Sequence, residues 1–278
     1  MDRRFLASNG QVADRAFQGH VHAETFVEPE SKRLSRQVWL RRDPEGAVDR
    51  ELLYGDVFDV IEVRGDHAFG RAEKDGYVGW VPANALSERV TPTHWVAVRT
   101  TWVWAAPDFK VPPLAPLHMT SRVKVTGVTG EWAVVEDGRC HVPVAHLRAL
   151  GDPLDQLDAA RAFLGTPYVW AGNSGFGIDC SGLVQVTARA AGLPAAPDSD
   201  LQEAMAGKAL DPSATLIAGD LVFWKGHVAL ATGEGTLIHA NAHHMAVVEE
   251  PVDTCIARIA QSNTGEVTSR LRPDYSMS

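Results

Sequence analysis

The stretch GNSGFGIDCSGLVQ, residues 172–185, places three glycines ahead of an Asp-Cys-Ser step and then changes to a helical pattern. Apolar residues recur at helical spacing after Cys180, and Gly192 follows the last of them, so we predict a helix that begins at Cys180. Glycines let the backbone approach a ligand and expose its amide hydrogens, and Asp179 is suited to cap the helix. The stretch therefore predicts a glycine-rich loop that delivers a cysteine to the first turn of a helix.

The position of Cys180 has two interpretations. A thiol in the first turn of a helix feels the positive end of the helix dipole and free amide hydrogens, which favour the thiolate and lower its pKa. Cys180 also precedes Leu183 by three residues and so shares the inward stripe of the helix, where an unreactive core cysteine would lie. Position alone does not separate a nucleophile from a core residue.

Composition and charge restrict the class of protein. The chain has 278 residues, 45% of them hydrophobic, and a formal net charge of −9. Such a chain can bury sizeable cores in two or three domains, and without a block of Lys and Arg it has no electrostatic reason to bind nucleic acid. No segment has the apolar run of a signal peptide or a membrane span, so we expect a cytoplasmic protein without membrane insertion.

The cysteines agree with a reducing compartment. There are three, Cys140, Cys180 and Cys255, and none has the CxxC spacing of a metal site. An odd number without such spacing predicts free thiols.

Residues 35–150 consist of short runs of alternating apolar and polar residues that are broken by Gly, Pro and Asp. Period-two alternation with turns this close together predicts small all-β barrels. Residues 52–86 and 116–147 share one order of strands and turns, and each ends in a Val-Pro step followed by a leucine. This internal repeat predicts two domains of one type.

The phrase DGYVGWVP, residues 75–82, resembles bacterial SH3-like domains, and DGRCHVP stands at the matching place in the second repeat. Such domains bind cell-wall peptides or pack on a partner domain. Core aromatic residues of a small barrel are the alternative interpretation of Tyr77, Trp80 and Trp132.

Candidate bases for a cysteine nucleophile follow in GDLVFWKGHVALATGEGTLIHAN, residues 219–241. A three-residue turn at GEG, residues 233–235, would set His227 across from Asn241 and diagonal to His239 in a hairpin. The two imidazoles would then share one face, as a base and a group that orients it. A single histidine at the start of a strand is more often a surface or core residue than a catalytic one.

The remaining histidines carry no catalytic prediction. His243 and His244 are expected in the turn that follows. A metal held by the histidine cluster is disfavoured, because no acidic residue has ligand spacing and Cys180 is remote in sequence.

The segments FLGTPYVWAGNSGFGIDCSGLVQ, GDLVFWKGHVAL and LIHAN together resemble the NlpC family of papain-like cell-wall cysteine peptidases over residues 150–265. Ala171 stands where a glycine is commoner in that family. The resemblance implies that Cys180 is the nucleophile, His227 the general base and later the acid, and His239 the group that orients His227.

The resemblance also implies the remaining parts of an active site. The backbone N–H of Cys180 and the hydroxyl of Tyr168 would stabilise the oxyanion. Trp170, Asp179 and Ser181 would belong to the substrate-binding surface.

Family members with preceding SH3-like domains resemble endopeptidases that cut γ-D-glutamyl bonds to a diamino acid in murein peptides. In APDSDLQ, Asp198 and Ser199 would face that peptide, although a helix cap explains the same two residues equally well. The first SH3-like domain would close one end of the cleft, where Glu51 and Tyr77 would bind a free ammonium group. A solvated strand residue is the alternative interpretation of Glu51.

The sequence thus predicts an α+β protein in which two small SH3-like β-barrels precede a papain-like NlpC-type catalytic domain. We predict a monomeric, cytoplasmic cysteine endopeptidase, with no cofactor or metal, that hydrolyses the γ-D-glutamyl to diamino acid bond of murein peptides with a free N-terminal L-Ala during wall-peptide recycling. A papain-like amidase or acyltransferase and a non-catalytic wall-peptide-binding protein are the alternatives. The predicted boundaries are 1–34 for an N-terminal extension, 35–90 and 91–150 for the two SH3-like domains, and 151–278 for the peptidase domain.

Overall fold

The computed structural model describes residues 1–275 and divides the chain into two compact units. The first unit comprises Met1–Val96 and Thr100–Leu150, and the second comprises Ala97–Arg99 and the chain from Gly151 onward. In the part of the chain that is described, no helix has both the length and the apolar character needed to cross a bilayer.

The first unit consists of short strands joined by tight turns and single turns of 3-10 helix. Its strands are β1 (Val12–Asp14), β2 (Thr25–Val27), β3 (Glu30–Leu34), β4 (Val38–Arg41), β5 (Val48–Leu52), β6 (Val57–Arg64), β7 (His67–Ala72), β8 (Val78–Pro82), β9 (Leu86–Glu88), β10 (His94–Val96), β11 (Thr100–Val103), β12 (Ala115–His118), β13 (Arg122–Val123), β14 (Val125–Thr129), β15 (Trp132–Val135), β16 (Cys140–Pro143) and β17 (Leu147–Ala149).

Strands β3 to β9 form one seven-stranded sheet in the order β5-β4-β8-β7-β6-β3-β9. Strand β3 pairs with both β6 and β9, so the sheet begins inside the segment that was predicted to be an N-terminal extension. Within residues 1–275 the two outer strands, β5 and β9, do not pair with each other, so the SH3-like sheet does not close into a barrel. Its core contains Leu34, Leu40, Phe58 and Tyr77.

The N-terminal segment covers part of this sheet. Ala7 packs in a cluster with Phe69 and Trp80, whose ring centroids are 5.3 Å apart. Trp80 is therefore a core aromatic residue, as the alternative interpretation of DGYVGWVP predicts.

The predicted second SH3-like barrel is not confirmed. Its strands form two separate three-stranded sheets, β13-β10-β17 and β14-β15-β16, and a hairpin of β11 and β12. Three prolines lie between β11 and β12, at positions 107, 112 and 113, and proline has no N–H for a strand ladder. Trp132 is half-buried and packs edge-on against Trp104, with ring centroids 5.2 Å apart.

The second unit is a mixed α/β domain with four helices and eight strands in its described part. Its elements are α1 (Gln156–Arg161), β18 (Asn173–Ser174), β19 (Gly177–Ile178), α2 (Cys180–Ala190), α3 (Ser199–Glu203), β20 (Gly207–Ala209), β21 (Leu221–Trp224), β22 (His227–Ala231), β23 (Thr236–Asn241), β24 (Ala246–Pro251), α4 (Val252–Ala260) and β25 (Ser269–Pro273).

Six of these strands form an antiparallel sheet in the order β20-β25-β21-β22-β23-β24. Every residue of β21 is buried, and helix α2 is buried along almost its whole length. Helix α2 packs against β22 and β23, and helix α4 packs against β23 and β24. Helix α2, which begins at Cys180, therefore packs directly on the two strands that carry His227 and His239.

Candidate active site

The glycine-rich loop and the start of α2 are joined by the side chain of Asp179. Its Oδ1 accepts from the backbone N–H of Gly182 at 2.7 Å and from the hydroxyl of Ser181 at 3.0 Å, and its Oδ2 accepts from the backbone N–H of Ala171 at 2.8 Å. The N-cap bond stabilises the first turn of the helix, which begins at Cys180, and the bond to Ala171 holds the loop against that end. The local sequence thus places Cys180 at the first helical position, as predicted.

Two positions in this segment depend on small residues. A Cβ at Gly182 would lie 2.4 Å from the carbonyl oxygen of Gly172, so only glycine lets the loop approach the helix this closely. Ala171 has a φ of 64°, in the left-handed region that glycine adopts without strain. This explains why glycine suits the position of Ala171, and the bond to Asp179 holds the alanine there.

The thiol of Cys180 is buried, with 7% of the residue exposed. Burial, followed by the negative charge of Asp179, raises the pKa of the thiol to about 12, although the backbone amides of Val228, Ser181 and Cys180 act in the opposite direction. The amides at the helix terminus thus act in the predicted direction, but burial outweighs them, and the net pKa is raised instead of lowered. A helix end contributes about 0.3–1 kcal/mol, whereas taking a charge out of water costs several kcal/mol.

His227 and His239 lie on neighbouring strands in the predicted register. Strand β22 pairs with β23 through Leu230↔Ile238 and Ala231↔Leu237, and the backbone N–H of Thr232 donates to the carbonyl oxygen of Thr236 at 3.1 Å. This register leaves a three-residue turn at 233–235 and sets His227 diagonal to His239. Nε2 of His227 lies 2.8 Å from Nδ1 of His239. The hairpin therefore brings the two imidazoles into direct hydrogen-bond contact.

Burial makes both imidazoles poor bases in the resting state. It lowers the pKa of His227 to about 3, with smaller effects in the same direction from neighbouring His239 and Arg258 and an opposite effect from Glu250. It also lowers the pKa of His239, which is almost fully buried. Cys180 and His227 are consequently both neutral near pH 7.

A carboxylate that the sequence analysis missed completes the histidine chain. Oε1 of Glu250 lies 2.7 Å from Nε2 of His239 and also accepts from Arg258. Burial alone would raise the pKa of Glu250, but hydrogen bonds from His239 and Arg258 outweigh burial and lower it to about 2. The signal was present in the alternation of β24, where Val248 lies opposite His239 and Glu250 follows on the same face.

The same neighbourhood offers ligand atoms to a metal. Donor atoms of His239, Glu250 and Cys255 lie within 4.8 Å of one another. Spacing in the sequence did not predict this cluster, because Glu250 and Cys255 reach His239 through the tertiary fold. The guanidinium of Arg258 already bonds to that carboxylate, and its positive charge opposes a cation at this place.

Tyr168 and Trp170 flank the loop in different environments. Tyr168 is half-buried, and burial, assisted by its electrostatic interactions with neighbouring Cys180 and Asp179, raises the pKa of its hydroxyl above the usual range. The hydroxyl thus stays protonated and can donate. Trp170 is 71% exposed, which leaves its ring free to contact a ligand.

Helix α3 begins beside the cysteine helix. Asp198 occupies the N-cap position of α3, but its side chain makes no capping hydrogen bond, and Ser199 is the first helical residue. Gln202, which the sequence analysis also missed, is fully buried and donates to the carbonyl oxygen of Ser181 at 2.9 Å. This bond anchors the start of α3 next to the first turn of α2.

Glu51 and Tyr77 lie in the first unit and are both buried. Glu51 is 1% exposed and accepts from the side-chain amide of Gln37, so the interpretation as a solvated strand residue is wrong. Tyr77 belongs to the core of the seven-stranded sheet, where its ring lies 6.1 Å from that of Phe5.

The structure also places the cysteines and histidines that were not predicted to be catalytic. Cys140 is half-buried and Cys255 fully buried, and burial raises the pKa of both thiols. His243 and His244 lie exposed in the turn between β23 and β24, with their rings 4.7 Å apart.

Comparison with known proteins identifies one domain in each of the two units. The NlpC/P60 family model matches residues 165–263, and the model of the bacterial dipeptidyl-peptidase Sh3 domain matches residues 40–86. A gamma-D-glutamyl-L-lysine dipeptidyl-peptidase of Bacillus cereus is 27% identical over 257 residues, which cover 81% of this chain and 76% of the relative. The enzyme of the same name from Bacillus subtilis is 28% identical over 223 residues, with coverage of 70% and 73%.

A solved structure supports the fold. A crystal structure of an NlpC/P60 family protein from Bacillus cereus superposes with a TM-score of 0.73 at 20% identity, and the match covers 87% of this chain and 99% of that one. The family match covers the loop, Cys180, His227 and His239. The chain therefore combines a bacterial SH3 domain with an NlpC/P60 domain and is a cysteine peptidase.

Proposed function

We propose that the protein is an endopeptidase that hydrolyses the bond between γ-D-glutamate and a diamino acid in peptidoglycan peptides with a free N-terminal L-Ala. The observation that carries the proposal is the extent of similarity to the two γ-D-glutamyl-L-lysine dipeptidyl-peptidases, which reaches 81% and 70% of the chain. The second unit alone cannot supply so long an alignment, so the similarity includes the SH3 domain as well as the catalytic domain.

The chemistry begins from a neutral thiol and a neutral imidazole. We assign His227 as the base that takes the proton of Cys180 as the sulfur attacks the amide carbonyl carbon of the substrate. The thiol lies beside the backbone amide of Val228, the residue after His227, which supports this assignment. Because burial disfavours both charges, the ion pair forms during the attack and not before it.

The attack forms a tetrahedral intermediate whose carbonyl oxygen becomes an oxyanion. The backbone N–H of Cys180 and the protonated hydroxyl of Tyr168 are the donors we assign to it, and removing one such donor costs about 2.7–4 kcal/mol in the transition state. The proton on His227 then passes to the leaving amine as the C–N bond breaks. Water, deprotonated by His227, hydrolyses the thioester and restores the thiol.

The start of α3 supports a role in binding the peptide. Asp198 and Ser199 stand at a helix start that Gln202 anchors to the carbonyl of Ser181, directly after Cys180. We propose that both side chains, with the exposed ring of Trp170, contact the substrate peptide.

We propose that Glu51 and Tyr77 recognise the N-terminal ammonium of L-Ala. The chemistry of the two side chains supports this role, because an ammonium ion can donate a charge-assisted hydrogen bond to a carboxylate and a further hydrogen bond to a phenol oxygen. A peptide with an acylated amine cannot form that bond. The selectivity for a free amine would restrict the enzyme to peptides already released from the wall. We therefore propose a monomeric, cytoplasmic enzyme that recycles wall peptides.

The test compares matched peptides. The purified protein is incubated with L-Ala-γ-D-Glu-L-Lys, with the meso-diaminopimelate analogue, and with the N-acetylated form of each, and the products are identified by mass spectrometry. We expect L-Ala-D-Glu and the free diamino acid from a free peptide, and a rate at least about 10⁴-fold lower on its acetylated form.

Variants separate specificity from chemistry. Cys180→Ala should abolish cleavage, whereas Glu51→Gln and Tyr77→Phe should raise KM for the free peptide more than they lower kcat, because the ammonium is held alike in the ground and transition states. Equal rates on free and acetylated peptides would overturn the ammonium assignment. Cleavage at another bond would overturn the proposed substrate.

A further inference from the structure

Glu250 occupies a position that determines where the protons of the histidine pair reside. It lies near the end of β24, and its Oε1 bonds to Nε2 of His239 at 2.7 Å and to Arg258 of α4. On the other side of that ring, Nδ1 of His239 lies 2.8 Å from Nε2 of His227. The carboxylate and the two imidazoles therefore form one hydrogen-bonded chain, and the backbone amide of Val228, next to His227, bonds to the thiol of Cys180.

The direction of each hydrogen bond follows from the carboxylate. An ionised carboxylate only accepts, so Nε2 of His239 must carry the hydrogen. In a neutral imidazole Nδ1 is then the acceptor, and Nε2 of His227 must donate to it. His227 is left with an unprotonated Nδ1, the one nitrogen still able to accept the proton of Cys180.

One neighbour opposes this assignment. Nδ2 of Asn241 lies 3.2 Å from Nε2 of His239 and, as a donor, would favour the reverse tautomer. The orientation of its amide is set by His244, whose backbone N–H donates to Oδ1 of Asn241 at 2.9 Å. The carboxylate contact is shorter and charge-assisted, and such bonds are about twice as strong as neutral ones, so Glu250 prevails.

The remaining charged and titratable groups around His239 keep Glu250 ionised. Arg258 bonds to both of its carboxylate oxygens, and the two groups lie in a partly buried pair. Cys255 contributes a neutral thiol 3.8 Å from Nε2 of His239. A metal at this cluster would have to displace Arg258 and take the nitrogen that bonds to Glu250, which would reverse the tautomer.

We propose that Glu250 is a positioning residue that fixes the tautomers of His239 and His227 and so leaves Nδ1 of His227 free to accept the Cys180 proton. The inference rests on the proposed roles of Cys180 and His227. Its test therefore uses two measurements that involve no wall peptide. Failure of the substrate proposal would leave both of them interpretable.

The first measurement is the tautomer state of each imidazole, read from side-chain 15N chemical shifts by NMR at neutral pH. In the wild type we expect hydrogen on Nε2 of both His227 and His239. Glu250→Met has similar length but no acceptor, so the hydrogen of His239 should move to Nδ1 in a large fraction of molecules, since Asn241 then acts unopposed.

The second measurement is the rate at which iodoacetamide alkylates Cys180. Glu250→Met should lower this rate about 10- to 100-fold, the range typical of residues that orient a functional histidine. Glu250→Gln, which keeps a carbonyl oxygen in reach of His239, should recover part of the loss. The matched control is Glu249→Gln on the same strand, where the carboxylate bonds to Thr236 and Arg161 instead.

Two results would overturn the positioning role of Glu250. Unchanged 15N shifts of both imidazoles in Glu250→Met, with an alkylation rate within about twofold of the wild type, would overturn the proposal. An equal loss in Glu249→Gln would overturn it as well, because the effect would then be general to the strand.

If Glu250→Met does not fold, Glu250→Gln decides, since it preserves shape and removes only the charge. Its alkylation rate and 15N shifts should lie between those of the wild type and a tautomer mixture, and wild-type values would refute the role of the carboxylate.

Discussion

Nε2 of His227 lies 2.8 Å from Nδ1 of His239, across two strands joined by a three-residue turn. Between two neutral imidazoles one nitrogen donates and the other accepts, so the protonation of His227 depends on that of His239. In the proposed mechanism this contact lets His239 position His227 without touching the substrate.

Replacement of His239 should therefore depend on the hydrogen-bond capacity of the new side chain. His239→Ala removes the acceptor and should lower kcat about 10²-fold or more, within the range associated with general acid–base catalysis. His239→Asn retains an amide oxygen that can accept from His227, so its kcat should be closer to that of the wild type. Steady-state kinetics of both variants give the comparison, and the exposed His243→Ala is the control. Equal loss in the two His239 variants would contradict an acceptor role.

The raised pKa of the Cys180 thiol predicts how its reactivity depends on pH. In the wild type the proton passes to His227 inside the site, so the alkylation rate should change little between about pH 6 and 8. In His227→Ala the thiol must lose its proton to water, and with a pKa of about 12 the rate should rise about tenfold per pH unit over that range.

Iodoacetamide labelling followed by peptide mass mapping distinguishes Cys180 from Cys140 and Cys255. A flat profile in His227→Ala would show that the helix end stabilises the thiolate without a base, and that burial does not dominate.

The loop and helix α2 meet at Gly182, which predicts a sensitive position. Gly182→Ala would place a Cβ 2.4 Å from the carbonyl oxygen of Gly172, so the loop must move. We expect the substitution to lower the free energy of unfolding by about 1–3 kcal/mol. Denaturant unfolding and kcat should both report the change. The control is Gly127→Ala, where no heavy atom lies within 4 Å of the added Cβ, and a similar loss there would refute the steric explanation.

His118 in the first unit predicts a pH dependence of stability. Burial lowers its pKa to about 4, and it contacts Gln37 through Nε2 at 2.7 Å and Thr100 through Nδ1 at 3.2 Å. Between about pH 6.5 and 4 the unfolded chain binds a proton here that the folded protein does not. Stability from this residue is therefore complete above pH 6.5 and lost as the pH falls toward 4.

The size of the effect follows from the shift. It amounts to about 3 kcal/mol at most, at about 1.4 kcal/mol per pKa unit. Thermal unfolding of the full chain over this pH range checks it, with His118→Gln as the variant that should flatten the profile. An unchanged slope in His118→Gln would assign the pH dependence to other groups.

Local chemistry made part of the site predictable. The start of α2 at Cys180 follows from Asp179, because an N-cap side chain satisfies amides within three residues of itself. The contact between His227 and His239 follows from a three-residue turn, since turn length sets the register of a hairpin. The resemblance to the family then attached chemistry to these positions.

Parts of the fold depended on distant pairing that local pattern does not encode. Strand β3 joins the seven-stranded sheet through β6 and β9, and the second repeat splits into small sheets although its alternation resembles that of the first. Alternation identifies strands but does not specify their partners.

The sequence by itself determined the cysteine at a helix start, the hairpin that pairs two histidines and the SH3-like and NlpC-type segments, because each depends on residues close together in the chain. Only the tertiary structure decided the electrostatics of the site. The neutral state of Cys180 and His227 results from burial by other elements, and Glu250 reaches His239 through the pairing of β23 with β24. Desolvation and charge act through space, so the pKa values of these groups depend on neighbours that sequence distance does not reveal.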